Sequence, residues 1–209
     1  MVKYMRRWIL GVVLVGTLPL AFAQTWVTRT FPDFYGIASD GSRWVVASSD
    51  GSIMTSANGA NWVSRPVNTA RLLSKLLYAN SLFVGVGSGG GIATSPDGIT
   101  WTPRSSFTNS RLSSVIYANN KFVVLGENGV ILTSLDGVTW DAQSSGTTKQ
   151  FYSAAYGNNQ LMAVGGDGIV VTSPDGITWT PRSSFTNSQL TSVIYANNQF
   201  VAVGANGAL

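Results

Sequence analysis

Cysteine and histidine are both absent, and glutamate occurs once, at Glu127. Without cysteine the chain forms no disulfide and offers no thiolate nucleophile. Without cysteine and histidine it lacks the usual zinc ligands and the commonest general base. Charged side chains are only 11% of residues. They include no dense Asp-x-Asp-x-Asp run of the calcium-loop type. Gly87-Ser-Gly-Gly-Gly91 falls between two strand-like runs rather than ahead of a helix, so it does not read as a phosphate loop. No metal and no cofactor are expected.

A membrane-length apolar run is also missing. The longest, Trp8 to Leu20, is 13 residues, short of the ~20 that cross a bilayer. It follows the basic residues Lys3, Arg6 and Arg7 and precedes Ala21-Phe22-Ala23. Basic start, apolar run and small-x-small site together read as a secretory signal peptide over 1–23, leaving a mature chain of 24–209. The expected destination is periplasmic, cell-surface or extracellular, without membrane insertion once the signal is removed. Taking Lys3, Arg6 and Arg7 from thirteen bases leaves ten against nine acids. That near-neutral balance gives no electrostatic footprint for nucleic acid.

What the chain has is repetition. Tryptophans stand at Trp62, Trp101, Trp140 and Trp179, each 39 residues after the last. Each closes a related phrase, as in Thr94-Ser-Pro-Asp-Gly-Ile-Thr-Trp101 and Thr133-Ser-Leu-Asp-Gly-Val-Thr-Trp140. A fixed period of this size marks a repeat architecture. Within one unit, Leu112–Tyr117, Lys121–Leu125, Val130–Ser134 and Val138–Ala142 are rich in β-branched and aromatic residues. Asn119-Asn120, Asn128-Gly129 and Asp136-Gly137 separate them as turn signals. Breaks at this density exclude helical repeats, and a β-solenoid has shorter coils with fewer hairpins. The expectation is an all-β chain, a β-propeller of four-stranded blades with a 39-residue repeat.

The register extends along the chain. Trp44, Phe83, Phe122, Leu161 and Phe200 share one position, and Gly51, Gly90, Gly129, Gly168 and Gly207 another. About five blades are expected, the last stopping at Gly207-Ala-Leu209, just inside its third strand. Two readings fit. Either the strand at Trp26 closes a five-bladed ring, or the sequence is cut from a larger propeller. Ending inside a strand favours the cut. In addition, Thr94–Tyr117 and Thr172–Tyr195 are nearly identical and lie 78 residues apart. A two-blade block has been copied.

The phrase Ser-x-Asp-Gly-x-Thr-Trp resembles the Asp-box, or bacterial neuraminidase repeat, of sialidase-like propellers. That motif is usually written Ser-x-Asp-x-Gly-x-Thr-Trp, so one residue between Asp and Gly is missing here. Related patterns occur in the photosystem II assembly-factor family. The resemblance implies that this hairpin lies away from any active site. Asp97, Asp136 and Asp175, with Trp101, Trp140 and Trp179, are therefore expected to be structural: carboxylates accepting turn N–H groups, indoles covering strand seams. Arg29, Arg65, Arg104 and Arg182 recur once per unit, with Gln143 breaking the series. They are expected on outer strands, stems along the surface.

By the same resemblance, sialidase-like catalysis would need three converging arginines, a Tyr activated by a Glu, and an Asp acid/base. Here the arginines and tyrosines recur at equivalent positions, which argues against one unique site. Carboxylates outside the repeated phrase are Asp33, Asp40, Asp50, Glu127, Asp141 and Asp167. No catalytic residue is assigned. A binding or interaction scaffold for a protein or glycan ligand is the leading expectation. A sialidase-like or other glycoside hydrolase is one alternative, an assembly or stability factor for an envelope complex the other. In propellers the loops between blades share a face with the turns between strands two and three. The candidate binding residues on that face are Phe107, Asn109, Arg111, Glu127, Lys149, Gln150, Asp167, Phe185, Asn187 and Gln189.

Overall fold

The computed structural model of the chain describes residues 12–13, 27–28, 33–65, 67 and 71–209. Strands β1 (Val12–Val13) and β2 (Val27–Thr28) pair with each other. Four antiparallel meanders of four strands follow. Blade I is β3 (Phe34–Ser39), β4 (Trp44–Ser48), β5 (Ile53–Ser56) and β6 (Val63–Arg65). Blade II is β7 (Leu73–Ala79), β8 (Leu82–Gly87), β9 (Ile92–Ser95) and β10 (Thr102–Arg104). Blade III is β11 (Leu112–Ala118), β12 (Lys121–Gly126), β13 (Ile131–Ser134) and β14 (Asp141–Gln143). Blade IV is β15 (Phe151–Gly157), β16 (Gln160–Gly165), β17 (Val170–Ser173) and β18 (Thr180–Arg182). Blade V holds β19 (Leu190–Ala196) and β20 (Gln199–Gly204). The all-β propeller read from the sequence is the fold observed.

Strand-period alternation builds the core between blades. In the run Phe122-Val-Val-Leu125, Phe122 and Val124 turn toward blade II and meet Val84, Val86 and Ile92. Val123 and Leu125 turn the other way, to Phe151, Leu161 and Val171 of blade IV. Successive side chains of a strand point to opposite faces. Both faces of the blade are covered, so both sets are apolar and buried. First strands of consecutive blades pack on one another, β3 on β7, β7 on β11, β11 on β15 and β15 on β19. Each first strand carries a bulge near its start, at Leu112/Ser114 in blade III. The bulge aims Ser113 at the next blade, where its hydroxyl donates to the Phe151 carbonyl.

Hairpins follow the turn residues. Asn119 and Asn120 take φ of +51° and +58° between β11 and β12, the left-handed pair that a two-residue hairpin requires. In blades II to IV the second and third strands are joined by a 3-10 turn, Glu127–Gly129 in blade III.

Two expectations are corrected, and of the two readings of the ring the closed one is not seen among the described residues. Trp140 does not lie on the fourth strand, which begins at Asp141. The indole is buried in the preceding turn instead, because its N–H must reach the Gly137 carbonyl. Ala205–Gly207 form the 3-10 turn of blade V, and Ala208 and Leu209 lie outside any strand, so that blade has two strands. The ring-closing pairing is not formed by the described residues. Val27 and Thr28 pair with Val13 and Val12, and the described sheets do not close. Trp26 and Arg29 lie outside the described residues.

Candidate functional site

Each repeat contributes to two opposed faces. On one, the Ser-x-Asp-Gly-x-Thr-Trp turn meets the first hairpin of the preceding blade. Lys121 Nζ donates to the Asp175 carbonyl at 2.9 Å, and Asn119 Nδ2 to the Pro174 carbonyl at 2.8 Å. Asp97 Oδ1 accepts the N–H groups of Ile99 and Thr100 at 2.8 and 2.9 Å and the Ser95 hydroxyl at 2.9 Å. Asp136 and Asp175 make the same bonds. Asn58 does so in blade I through its amide oxygen. The backbone N–H groups of Thr100, Thr139 and Thr178 hold these three carboxyls below the usual carboxylate range. The indoles of Trp101, Trp140 and Trp179 each donate to the turn glycine, at 2.9–3.1 Å.

The outer-strand arginines meet the threonine just before the same phrase. Arg65, Arg104 and Arg182 donate through Nε to Thr55, Thr94 and Thr172. Gln143 donates to Thr133 in their place. The interrupted series in the sequence is therefore continuous in the hydrogen bonding.

The other face carries the loops between blades and the turns between second and third strands. The loop after β10 is built by Ser106, whose hydroxyl donates to Gly90 O at 2.6 Å and Thr108 O at 3.2 Å. Ser145 and Ser184 donate to Thr147 and Thr186 in the same way. Opposite stands a glycine at positive φ. A Cβ on Gly129 would lie 1.9 Å from the Thr147 carbonyl, and one on Gly168 1.9 Å from that of Thr186. Only glycine allows this approach.

The structure brings some candidate residues together and leaves others apart. The Arg111 N–H meets Glu127 Oε2 at 3.4 Å. Lys149 and Asp167 form an exposed ion pair. Asn109 Oδ1 accepts from Arg71 at 3.2 Å, and the Gln150 carbonyl accepts from Gly166 at 2.8 Å. Asn187 and Gln189 are exposed, and the Gln189 carbonyl accepts from Ala205. Phe107 and Phe185 stand at loop tips, 85% and 98% exposed. Of the other carboxylates, Asp40 caps the first hairpin of blade I, Asp50 bonds Ser52, and Asp141 opens the outer strand β14.

Shallow grooves run between loop and turn. One lies among Arg71, Ile92, Pro103, Arg104 and Phe107, a second of about 780 Å³ among Phe107, Asn128, Leu132, Gln143 and Thr148. Arg71 was missed in the sequence. Its place 78 residues before Lys149, on the same register as the copied block, was the signal. Among the described residues no group of three or more acids is placed to hold a metal. No described helix is long and apolar enough to cross a membrane.

Blades, turns and loops together define a β-propeller. Residues 85–199 match the model of the DUF6242 beta propeller domain, and the chain belongs to that family. No curated protein matches it in sequence. Among solved structures, it is similar to YCF48 bound to a D1 peptide, at 15% identity and TM-score 0.67, covering 87% of this chain and 66% of that one. YCF48 from Cyanidioschyzon merolae aligns at 17% identity and TM-score 0.60, over 83% and 65%. The extracellular domain of BT4673 from B. thetaiotaomicron aligns at 13% and TM-score 0.68, over 86% and 28%. The chain spans just under two thirds of the YCF48 chains. At these identities the likeness shows the fold.

Proposed function

We propose that the protein is an exported, non-catalytic binding scaffold that holds a protein or glycan partner on the face of its inter-blade loops. The observation that carries this reading is the division of labour between the faces. Asp97, Asp136 and Asp175 are engaged in turns on one face, while rigid loops on the other present Phe107, Asn109, Phe185 and Asn187 to solvent. Every carboxyl with a displaced pKa (Asp40, Asp50, Asp97, Asp136 and Asp175) is displaced downward. For Asp97, Asp136 and Asp175 the cause is the hydrogen bonding of their own turns, as a structural role requires. Export rests on the amino-terminal pattern of residues 1–23. The protein expressed without those residues, presented to glycan and peptide arrays, is expected to bind at least one class. Silence on both arrays, with turnover of aryl glycosides, would replace this reading with the hydrolase.

A second reading has its own support. A structure of YCF48 bound to a D1 peptide shows that a propeller of this shape takes a peptide segment. An assembly role for the present chain predicts co-purification of one defined envelope complex with the tagged protein. A clean preparation from its native host would remove that reading.

A further inference from the structure

Phe107 and Phe185 are bulky apolar side chains exposed at the tips of two inter-blade loops, and the backbone opposes both. Their φ angles are +55° and +57°, a region that costs a bulky residue energy. The equivalent tip of the intervening loop is Gly146, at φ +69°. All three loops are held by the same serine-to-threonine-carbonyl bond, from Ser106, Ser145 and Ser184. The loop therefore forms without a phenyl group. At 85% and 98% exposure neither ring gains packing in return. Copying of the two-blade block explains why the two loops are alike, but not why a strained and exposed phenylalanine stands at each.

The two tips share their flanking residues in sequence register. Arg71, Pro103 and Arg104 flank the first, and Lys149, Pro181 and Arg182 hold the same repeat positions at the second. The loop between them has Ala142 and Gln143 in place of Pro and Arg. Phe107 borders two grooves at once, that of blade II and the ≈ 780 Å³ groove of blade III, and Phe185 borders the next. The groove walls supply short hydroxyl and amide groups: Ser105, Thr108, Asn109, Ser144 and Thr148.

We propose that Phe107 and Phe185 are two equivalent anchors for one linear polysaccharide, which crosses the loop face and stacks a sugar unit on each ring. The proposal rests on the binding-scaffold reading and names its ligand class. An aromatic face covers the C–H face of a sugar, and hydroxyl and amide neighbours bond its rim. Two like anchors on a rigid array call for a ligand that offers the same group twice. A polymer of identical units does so. A folded protein without internal repetition meets the two tips with unrelated surfaces. Engagement of both sites multiplies affinity without a new kind of contact.

The test uses the protein of residues 24–209 and its Phe107→Gly, Phe185→Gly and double variants, with Gly146 as the internal precedent. The probes are laminarin, xylan, dextran, alginate and hyaluronan, and their hexasaccharides. Thermal melting of the variants is expected at or above that of the parent. At least one polymer should bind the parent, with each single variant weakening it by about tenfold or more and the double by about 10²-fold or more. The matching hexasaccharide should bind at two sites in the parent and one in each single variant. A polymer bound equally by the double variant, or one hexasaccharide site in the parent, overturns the proposal. A random twelve-residue peptide library captured where no polysaccharide binds overturns it too, while the scaffold reading stands. If neither library nor polysaccharide binds, both fall.

Discussion

Gln143 Nε2 donates to Thr133 Oγ1 at 2.9 Å, in the place where Arg104 Nε meets Thr94 Oγ1 at 2.8 Å. A neutral amide and a guanidinium thus do the same work on successive blades: each ties the outermost strand to the third. The charge of the arginine is not what the blade uses. Arg104→Gln is therefore expected to change stability by less than about 0.5 kcal/mol. Thr94 is buried, and Thr94→Val removes the acceptor and strands the donor, at a cost of about 1–2 kcal/mol. Urea denaturation of the two variants decides between these roles. A larger loss for Arg104→Gln than for Thr94→Val would show that the charge matters.

Acid should act through the three turn carboxylates. Asp97, Asp136 and Asp175 have folded pKa values below the usual range, chiefly because of the backbone N–H groups of Thr100, Thr139 and Thr178. A depressed folded pKa adds stability that is present above the unfolded value and is lost as pH falls through the folded one. Denaturation midpoints should be flat from pH 7 to 5 and fall below about pH 4. Asn58 shows that an amide oxygen can accept the same turn bonds. Replacing all three with Asn should shrink the acid limb with little loss at pH 7, leaving the part that Asp40 and Asp50 contribute. An unchanged acid limb in that triple variant would place the acid sensitivity elsewhere.

The close approach of loop and turn makes a sharper demand. Gly129 has φ +70°, and a Cβ there would stand 1.9 Å from the Thr147 carbonyl. Gly129→Ala must strain the turn and push the loop after β14 away. A loss of about 2 kcal/mol or more is expected, with faster amide exchange in residues 144–149. Gly146→Ala, whose Cβ meets nothing within 4 Å, meets only the φ penalty of about 1–2 kcal/mol. Equal losses in the two variants would remove the steric argument.

Much of this fold can be read from the sequence because one register repeats. The 39-residue step places Phe122 and Leu161 at the same depth in neighbouring blades, and both are fully buried. Strand propensity alone starts the fourth strand too early, because Trp140 is apolar and follows a β-branched run. Its indole N–H bonds backwards, which keeps it in the turn. The Arg–Thr link joins residues ten apart across a hairpin, and strand propensity carries no record of it. On the loop face the register shows which residues share a side. It does not reveal that Phe107 and Phe185 sit at positive φ, since the Ser-x-Thr bond that bends the loop is satisfied equally around Gly146.

The pairs that join loop to turn vary together along the chain. Asn128 Nδ2 donates to Ser110 Oγ at 3.1 Å, and Asn206 Nδ2 to Ser188 Oγ at 3.4 Å. At the same two positions of the intervening blade stand Lys149 and Asp167, joined as an ion pair. Their side chains are 51% and 67% exposed, so water and salt screen most of the attraction. Lys149→Ser with Asp167→Asn would install the neighbouring blades' solution. The double variant is expected to match the parent within about 0.5 kcal/mol and to lose whatever salt dependence this loop contributes to unfolding. The check is a comparison of urea midpoints at low and high sodium chloride. If the double variant instead loses more than about 1.5 kcal/mol, a scale that exposed pairs do not reach, then the ion pair holds the loop after β14 in place. Lys149 and Asp167 would then belong with the turn carboxylates, as scaffold, and the binding face would be left to the residues around the two phenylalanine tips.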